Sequence, residues 1–453
     1  MIAQPGFPVV AAVEMGLGHL RAADALARGL GAPIAHADRA PLASPEEQRL
    51  WHRTRRFYEG VSRVSQLPVA GAPVRLLLEA ITRIPPLHPL RDLSRPSLTT
   101  RGLERTIRRG LGAGLIASLE RSGAPLLTTF FVPALLANRH ETIAVSCLVT
   151  DTDLARAWVP GLPNKSRIRY FAPTPRAARR LGAYGIAEAQ IETTGFPLPH
   201  ELVGGPDAPL ARANLAARLV RLDRRGVFRS AAGPAIAATL GPEVLRAVDD
   251  RPPLLVFAVG GAGAQADLPA RFVPALRPAI ERGALRLALV AGVRADVARR
   301  FDGLLRRHGL DGHPNVRLVF ETDVDRYFRV FNALCAEADI LWTKPSELTF
   351  FAALGLPLLL SPPVGVQERY NRRWAIENGA ALAQHDPSAA GAWIEEWLAD
   401  GTLAGAAFGG FTRLPKQGLY RILAAYGCSA AVEPAADFPA TRSVDSTAIR
   451  SIG

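Results

Sequence analysis

At 453 residues, 48% hydrophobic and 21% charged, the chain is long enough for two domains and too apolar to be disordered throughout. The formal net charge of +13 suggests nucleic acid, but lysine stands only at 165, 344 and 416, and no dense basic run interleaves with aromatics; nucleic-acid binding is set aside, while docking on an anionic membrane leaflet stays open. Cys147, Cys335 and Cys428 are odd in number and far apart, which argues against a disulfide framework or a cysteine metal site and for a reducing compartment. With no cationic signal region and no apolar run near the roughly 20 residues a spanning helix needs, the expected location is cytoplasmic, peripheral at the inner membrane face.

In chain order, Pro8 to Val13 reads as a strand, Glu14-Met15-Gly16-Leu17-Gly18-His19 as a glycine turn, and Leu20 to Leu30 as a helix closed by Gly31. Strand, glycine turn and helix together place backbone N–H groups and a positive dipole end beside an anion. His19, at the helix start, faces whatever binds there. From Trp51 to Leu119 the pattern is helical, broken at Pro85-Pro86, Pro89 and Pro96. Val74 to Arg83 and Thr106 to Leu119 are apolar with arginines near their ends. They read either as ordinary surface helices or as basic amphipathic segments for a lipid interface.

Leu126 to Phe131 and Ile143 to Thr150 are the next strands. The second ends in Asp151-Thr152-Asp153, which puts carboxylates at the ligand edge of a parallel sheet, with Trp158 close behind as a pocket floor. Ile168 to Ala172, a helix through Leu181, and Ile191 to Thr194 complete one doubly wound domain, residues 1–199. Residues 200–250, rich in Pro, Gly and Arg, are placed between domains.

Leu254 to Val259 opens a second alternating unit, 251–415, with the loop Gly260-Gly261-Ala262-Gly263. Small residues there let a phosphate approach the backbone. Leu285 to Ala291, Val316 to Phe320 and Ile340 to Trp342 are strands. Thr343-Lys344-Pro345-Ser346 is a polar loop, Glu347 to Leu354 a short helix, and Leu358 to Leu360 a buried strand leading to Gln367, Glu368 and Asn371. A closing helix within 416–428 and a disordered tail, 429–453, end the chain.

These motifs, over roughly residues 8–425, resemble the GT-B glycosyltransferases of family 28, nearest to the galactolipid synthases (monogalactosyldiacylglycerol synthase) and the lipid II-forming N-acetylglucosaminyltransferases. Gly16-Leu17-Gly18-His19, Leu148-Val149-Thr150-Asp151 with Trp158, Thr194-Gly195-Phe196-Pro197, Gly260 to Gly263, Thr343-Lys344-Pro345, Gly355-Leu356-Pro357 and Gly365-Val366-Gln367-Glu368 with Asn371 carry the resemblance. It implies an α/β fold of two Rossmann-like doubly wound domains facing a cleft. A nucleotide-sugar donor, UDP-linked, would lie on the C-terminal domain and a hydrophobic or lipid-linked acceptor on the N-terminal one, with inversion and neither metal nor cofactor.

By the same resemblance, Gly260, Gly261, Gly263 and Lys344 lie at the diphosphate and Gln367 and Glu368 near the sugar hydroxyls, Ser346, Glu347 and Asn371 belong to the same donor site, and Gly16, Gly18 and Trp158 lie at the acceptor. His19 or Asp151 is the base. His19 is favoured because an imidazole titrates near neutrality. The chain departs from the family pattern at Ser346-Glu347, where a glycine-rich loop is usual, and at Phe350 or Phe351, where a glutamate grips the ribose; Glu347 is the expected substitute. A histidine that precedes the tryptophan near Asp151 in the family is also absent. An epimerase or hydrolase of the same fold, or a nucleotide-sugar-binding protein without turnover, is the alternative.

Overall fold

The computed structural model describes residues 7–64, 83–261 and 263–430. Most of the basic segment Val74 to Arg83, and the tail from 431 on, lie outside the described residues. The chain forms two compact units. Of the described residues, one holds those up to His200, Val364–Asn371 and 417–430; the other holds Glu201–Pro363 and Arg372–Lys416.

The first unit is built on a parallel sheet of six strands: β1 (Val9–Ala12), β2 (Ala35–His36), β3 (Leu126–Thr128), β4 (Val145–Leu148), β5 (Arg169–Ala172) and β6 (Ile191–Thr193). Their order is β2-β1-β3-β4-β5-β6, all neighbours parallel. β3 and β4 are buried along their whole length, as expected for strands covered by helices on both faces. Helix Leu17–Leu30 ends on Gly31 in the left-handed conformation (φ 64°). Helix Gly418–Ala424 packs against it at Gly29, where an added Cβ would stand 3.0 Å from Cδ1 of both Leu419 and Leu423. Burying those two leucines contributes about 1.5–3 kcal/mol each.

The second unit repeats the plan with β7 (Leu254–Ala258), β8 (Arg286–Gly292), β9 (Val316–Phe320), β10 (Ile340–Thr343), β11 (Leu358–Leu360) and β12 (Ala381–Ala383). The order is β12-β11-β10-β7-β8-β9, again parallel. At its centre Trp342 stacks on Phe272 (centroids 4.6 Å apart) and donates from Nε1 to Gln384 Oε1 at 2.8 Å. Both units are therefore Rossmann-like α/β domains.

Three local readings change. Thr106 to Leu119 is not one helix: Leu98–Arg108 and Ala113–Ser122 are separated by Gly110 and Gly112, both at positive φ. β3 stops at Thr128, and Phe130 caps the helix Phe131–Ala137 instead of extending the strand. Glu347–Leu354 is a 3₁₀ segment, not an α-helix.

Residues 201–250 pack as helices within the second unit. The fully buried Arg218, on helix Pro209–Leu222, donates to the carbonyls of Ala338 (2.7 Å), Gly355 (2.8 Å) and Leu354 (3.2 Å). Burial lowers its pKa to about 10. Its neighbour Arg221 pairs with the buried Asp339 at 2.7 Å. Among the described residues no helix is long and apolar enough to cross a membrane.

Candidate functional site

In the first unit the chain runs from β1 to β2 on one side and returns to β3 on the other, so the strand order reverses between β1 and β3. The C-terminal edge at such a reversal is where open α/β sheets take ligands. Just past β1, Met15 N donates to Val13 O at 2.8 Å, Gly16 takes φ 150°, and the helix begins at Leu17. Gly18 and His19 thus lie in its first turn. No side chain caps this start and no acid lies in that turn, so the N–H groups of the turn carry the positive end of the dipole.

His19 Nδ1 stands 2.8 Å from the carbonyl oxygen of Thr129, just past β3. A carbonyl can only accept, so Nδ1 holds the proton and the lone pair of the neutral ring sits on Nε2. Thr129 Oγ1 returns a bond to His19 O at 2.8 Å, and Thr150 Oγ1, past β4, lies 3.1 Å from Nδ1. The ring is edge-on to Phe130 (4.8 Å) and tilted toward Trp158 (6.1 Å). Trp158 itself is buried and packs on Phe131 at 5.3 Å.

Asp151 follows Thr150, and its Oδ1 accepts from Asn371 Nδ2 at 3.0 Å. The buried Asp153 takes Arg180 Nε at 2.7 Å and Nη2 at 3.0 Å, and Arg176 Nε at 2.7 Å. Tyr170 and Tyr184 donate to the carbonyls of Trp158 and Leu154, each at 2.9 Å. The loop after β4 is therefore held residue by residue.

In the second unit the strand order reverses between β7 and β10. There Lys344, first residue past β10, crosses Gly260, second residue past β7. A Cβ at Gly260 would overlap Lys344 Cε, with Nζ 3.3 Å away. Gly263 N donates to Gly260 O at 2.8 Å, so Gly260, Gly261 and Gly263 form one tight turn, with Gly263 at φ 72°. Arg294, past β8, lies over the same turn: a Cβ on Gly263 would be 3.8 Å from its Cζ. Asp296 holds the guanidinium through both oxygens, at 2.9 and 2.8 Å. A glycine turn flanked by a lysine and an arginine is suited to a compact polyanion.

Ser346 and Glu347, both half-buried, open the 3₁₀ segment. Phe350 and Phe351 are buried, Phe350 on Trp374 at 5.4 Å and Phe351 on Phe331 at 6.2 Å, so both belong to the core. Gln367, Glu368 and Asn371 lie on helix Val366–Glu377 and are grouped with the first unit. Glu368 Oε2 accepts from Val364 N at 2.8 Å. The structure thus gathers His19, Gly16, Gly18, Asp151, Trp158 and Asn371 in one unit, and the glycine turn with Lys344 in the other. Sequence reading gave no role to Thr129, Thr150 or Arg294, which stand one or two residues past the ends of β3, β4 and β8. Among the described residues no group of three or more His, Cys, Asp or Glu side chains could hold a metal ion.

No protein-family model matches the sequence, and no curated protein matches it. Solved structures similar in chain path include Acinetobacter baumannii MurG (13% identity, 93% of this chain and 99% of that one, TM-score 0.49). The UDP-GlcNAc 2-epimerase of Neisseria meningitidis bound to UDP-GlcNAc is another (11%, 92% and 99%, 0.48), and S. aureus MnaA with UDP a third (11%, 92% and 94%, 0.47). These likenesses are distant, and the fold assignment rests on the two sheet orders.

Proposed function

We propose that the protein is a glycosyltransferase acting on a nucleoside-diphosphate sugar. The observation that carries this reading is the meeting of Lys344 with Gly260 at the strand-order reversal of the second unit, with Arg294 over the same turn. Two cations on a glycine turn stabilise the charge that develops on a departing diphosphate. His19 supplies the other requirement. With Nδ1 bonded to Thr129 O, Nε2 accepts the proton of an acceptor hydroxyl as that oxygen bonds to the sugar's anomeric carbon. The bond from that carbon to the donor phosphate breaks, and the nucleoside diphosphate leaves with the electron pair. Attack opposite the leaving group inverts the anomeric centre.

The acceptor we infer is hydrophobic or lipid-linked. Leu50, Phe57 and Leu98 are exposed at 41%, 56% and 83% on helices Pro45–Val64 and Leu98–Arg108 of the first unit. Arg49, Arg53, Arg56, Arg101, Arg105 and Arg108 are exposed on the same helices. Trp51 on the first of them packs on Phe130 (6.4 Å), which in turn packs on His19. A groove of about 670 Å³, lined by Ser44, Leu50, Thr106, Arg109 and Leu111 among others, separates the helix ends; none of the polar site residues lines it.

The test is a thermal-shift panel of UDP, GDP, ADP and dTDP, followed by incubation of the matching nucleotide sugars with and without membrane lipid. Release of nucleotide that depends on added lipid supports transfer. Conversion of the sugar without any acceptor would identify an epimerase or hydrolase instead. Absence of any nucleotide shift would overturn the donor assignment.

A further inference from the structure

Asn371 is fully buried, and its side-chain amide makes three hydrogen bonds within the first unit. Thr152 N and Thr152 Oγ1 both donate to Oδ1, at 2.9 and 2.8 Å. The backbone N–H of Thr152 can only donate, and the Asp151 carboxylate can only accept, so the pair fixes the amide's orientation: a flipped amide would set NH₂ against the N–H and its oxygen against the carboxylate. Nδ2 is thereby directed at Asp151 Oδ1, 3.0 Å away. Thr152 is held from its other side as well, its carbonyl accepting from Thr174 Oγ1 at 2.9 Å. The residue before Asp151 is Thr150, whose hydroxyl meets the His19 ring.

We propose that Asn371 is a positioning residue: its amide sets the orientation of the Asp151 carboxylate, one residue past the Thr150 whose hydroxyl meets the His19 ring, while its oxygen holds the N–H of the peptide that joins Asp151 to Thr152. This rests on the reading of the first unit as the one that activates the acceptor. Neither Ala nor Ser can perform both tasks. Aspartate, nearly isosteric, keeps the acceptor for Thr152 and, at a pH where both carboxylates are ionised, lacks the donor to Asp151, so Asn371→Asp assayed across pH separates the two tasks. A carboxylate displaced by about 1 Å from its working position lowers turnover by about 100-fold.

The experiment has a structural and a catalytic part, both on the full chain. In amide hydrogen exchange followed by NMR, Thr152 N–H should exchange roughly five- to tenfold faster in Asn371→Ala, the loss of about one hydrogen bond, and near the wild-type rate in Asn371→Asp. Unchanged Thr152 exchange in Asn371→Ala overturns the proposal. With the nucleotide sugar selected by the panel above, Asn371→Asp should lower kcat at least tenfold and leave the donor KM unchanged.

The reversed pair, Asp151→Asn with Asn371→Asp, restores a hydrogen bond between the two positions. Its Tm should return toward wild type while kcat stays at the level of Asp151→Asn alone. Turnover that recovers along with Tm would mean that only the pairing of the two positions matters and not the Asp151 carboxylate itself, and that result overturns the proposal, as does wild-type kcat in Asn371→Asp. If the wild-type protein turns over no nucleotide sugar, the transferase reading fails, and the exchange measurement still decides whether Asn371 holds the loop.

Discussion

Lys344 lies so close over Gly260 that no other residue type fits beneath it without moving the lysine. The contact joins residues 84 positions apart, the second past β7 and the first past β10. Gly260→Ala should push the ammonium off the turn, and Lys344→Ala should remove it. Both variants should weaken nucleoside-diphosphate binding by about tenfold or more in calorimetry, since a charge-assisted bond to phosphate is worth about 1.5–3 kcal/mol. Wild-type affinity in Lys344→Ala would remove the lysine from the donor site.

Arg294 and Gly263 make the matching contact on the other side of the turn. Asp296 keeps the guanidinium in place before any ligand arrives, and it holds the Asp296 carboxyl below its ordinary value. Arg294→Ala should lower diphosphate affinity and flatten its salt dependence. Arg294→Lys should recover little, because a lysine cannot make the two-pronged contact to Asp296. Calorimetry at two ionic strengths measures both effects. Equal affinity for all three proteins would leave Arg294 with a structural role only.

His19→Gln and His19→Ala should bind the nucleotide sugar as the wild type does and turn it over about 100- to 10,000-fold more slowly, the usual span for loss of a general base. Donor affinity is the control, because His19 contacts Thr129, Thr150, Phe130 and Trp158 of the first unit and lies far in sequence from the glycine turn. Turnover within threefold of wild type in both variants would move the base to Asp151.

The elements that position the site were legible because their signals are local. Strand, glycine, helix could be read from Val9 to Leu30, and Lys344, one of the chain's three lysines, stood out just past an apolar strand. Arg294 had no such contrast in an arginine-rich chain. Arg218 was not singled out within the Arg-rich 200–250 region, yet it is buried against three carbonyls, which no periodicity reveals. The two-residue β2 is too short to carry a pattern, and its pairing with β1 supplies what its sequence lacks. Asn371 was singled out by its motif, but its bonds to Asp151 and Thr152 span about 220 residues and depend on the tertiary fold.

The exposed Leu50, Phe57 and Leu98, among arginines of the same two helices, predict binding to an anionic bilayer. The protein should co-sediment with phosphatidylcholine vesicles containing phosphatidylglycerol and not with phosphatidylcholine alone. Each arginine near the surface contributes about 1 kcal/mol, so charge reversal at Arg101, Arg105 and Arg108 together should abolish binding. Raising the salt should release the wild type. Equal binding to neutral vesicles, or none to either, would sink this reading of the acceptor side.

Lys416 gives a prediction about stability. Its Nζ donates to Phe411 O at 2.7 Å, at the end of helix Thr402–Arg413, and lies 4.2 Å from the centroid of the Phe411 ring. Burial first, and then the nearby Arg212, bring its pKa from the ordinary lysine value of 10.5 down to about 8. Between those two values the unfolded chain binds a proton that the folded chain does not, so this residue makes stability rise with pH across that window. Below pH 8 both states are protonated, and the folded protein bears the whole cost of a poorly hydrated ammonium. Lys416→Met should therefore be more stable than wild type at pH 7, and the difference should shrink as the pH approaches 10. Urea unfolding of both proteins at pH 7, 8.5 and 10 measures it. The Phe411 carbonyl and ring act in the opposite sense, since both favour the charged form. A less stable Lys416→Met at pH 7 would mean that these contacts outweigh the burial cost, and the expected pH slope would then be absent.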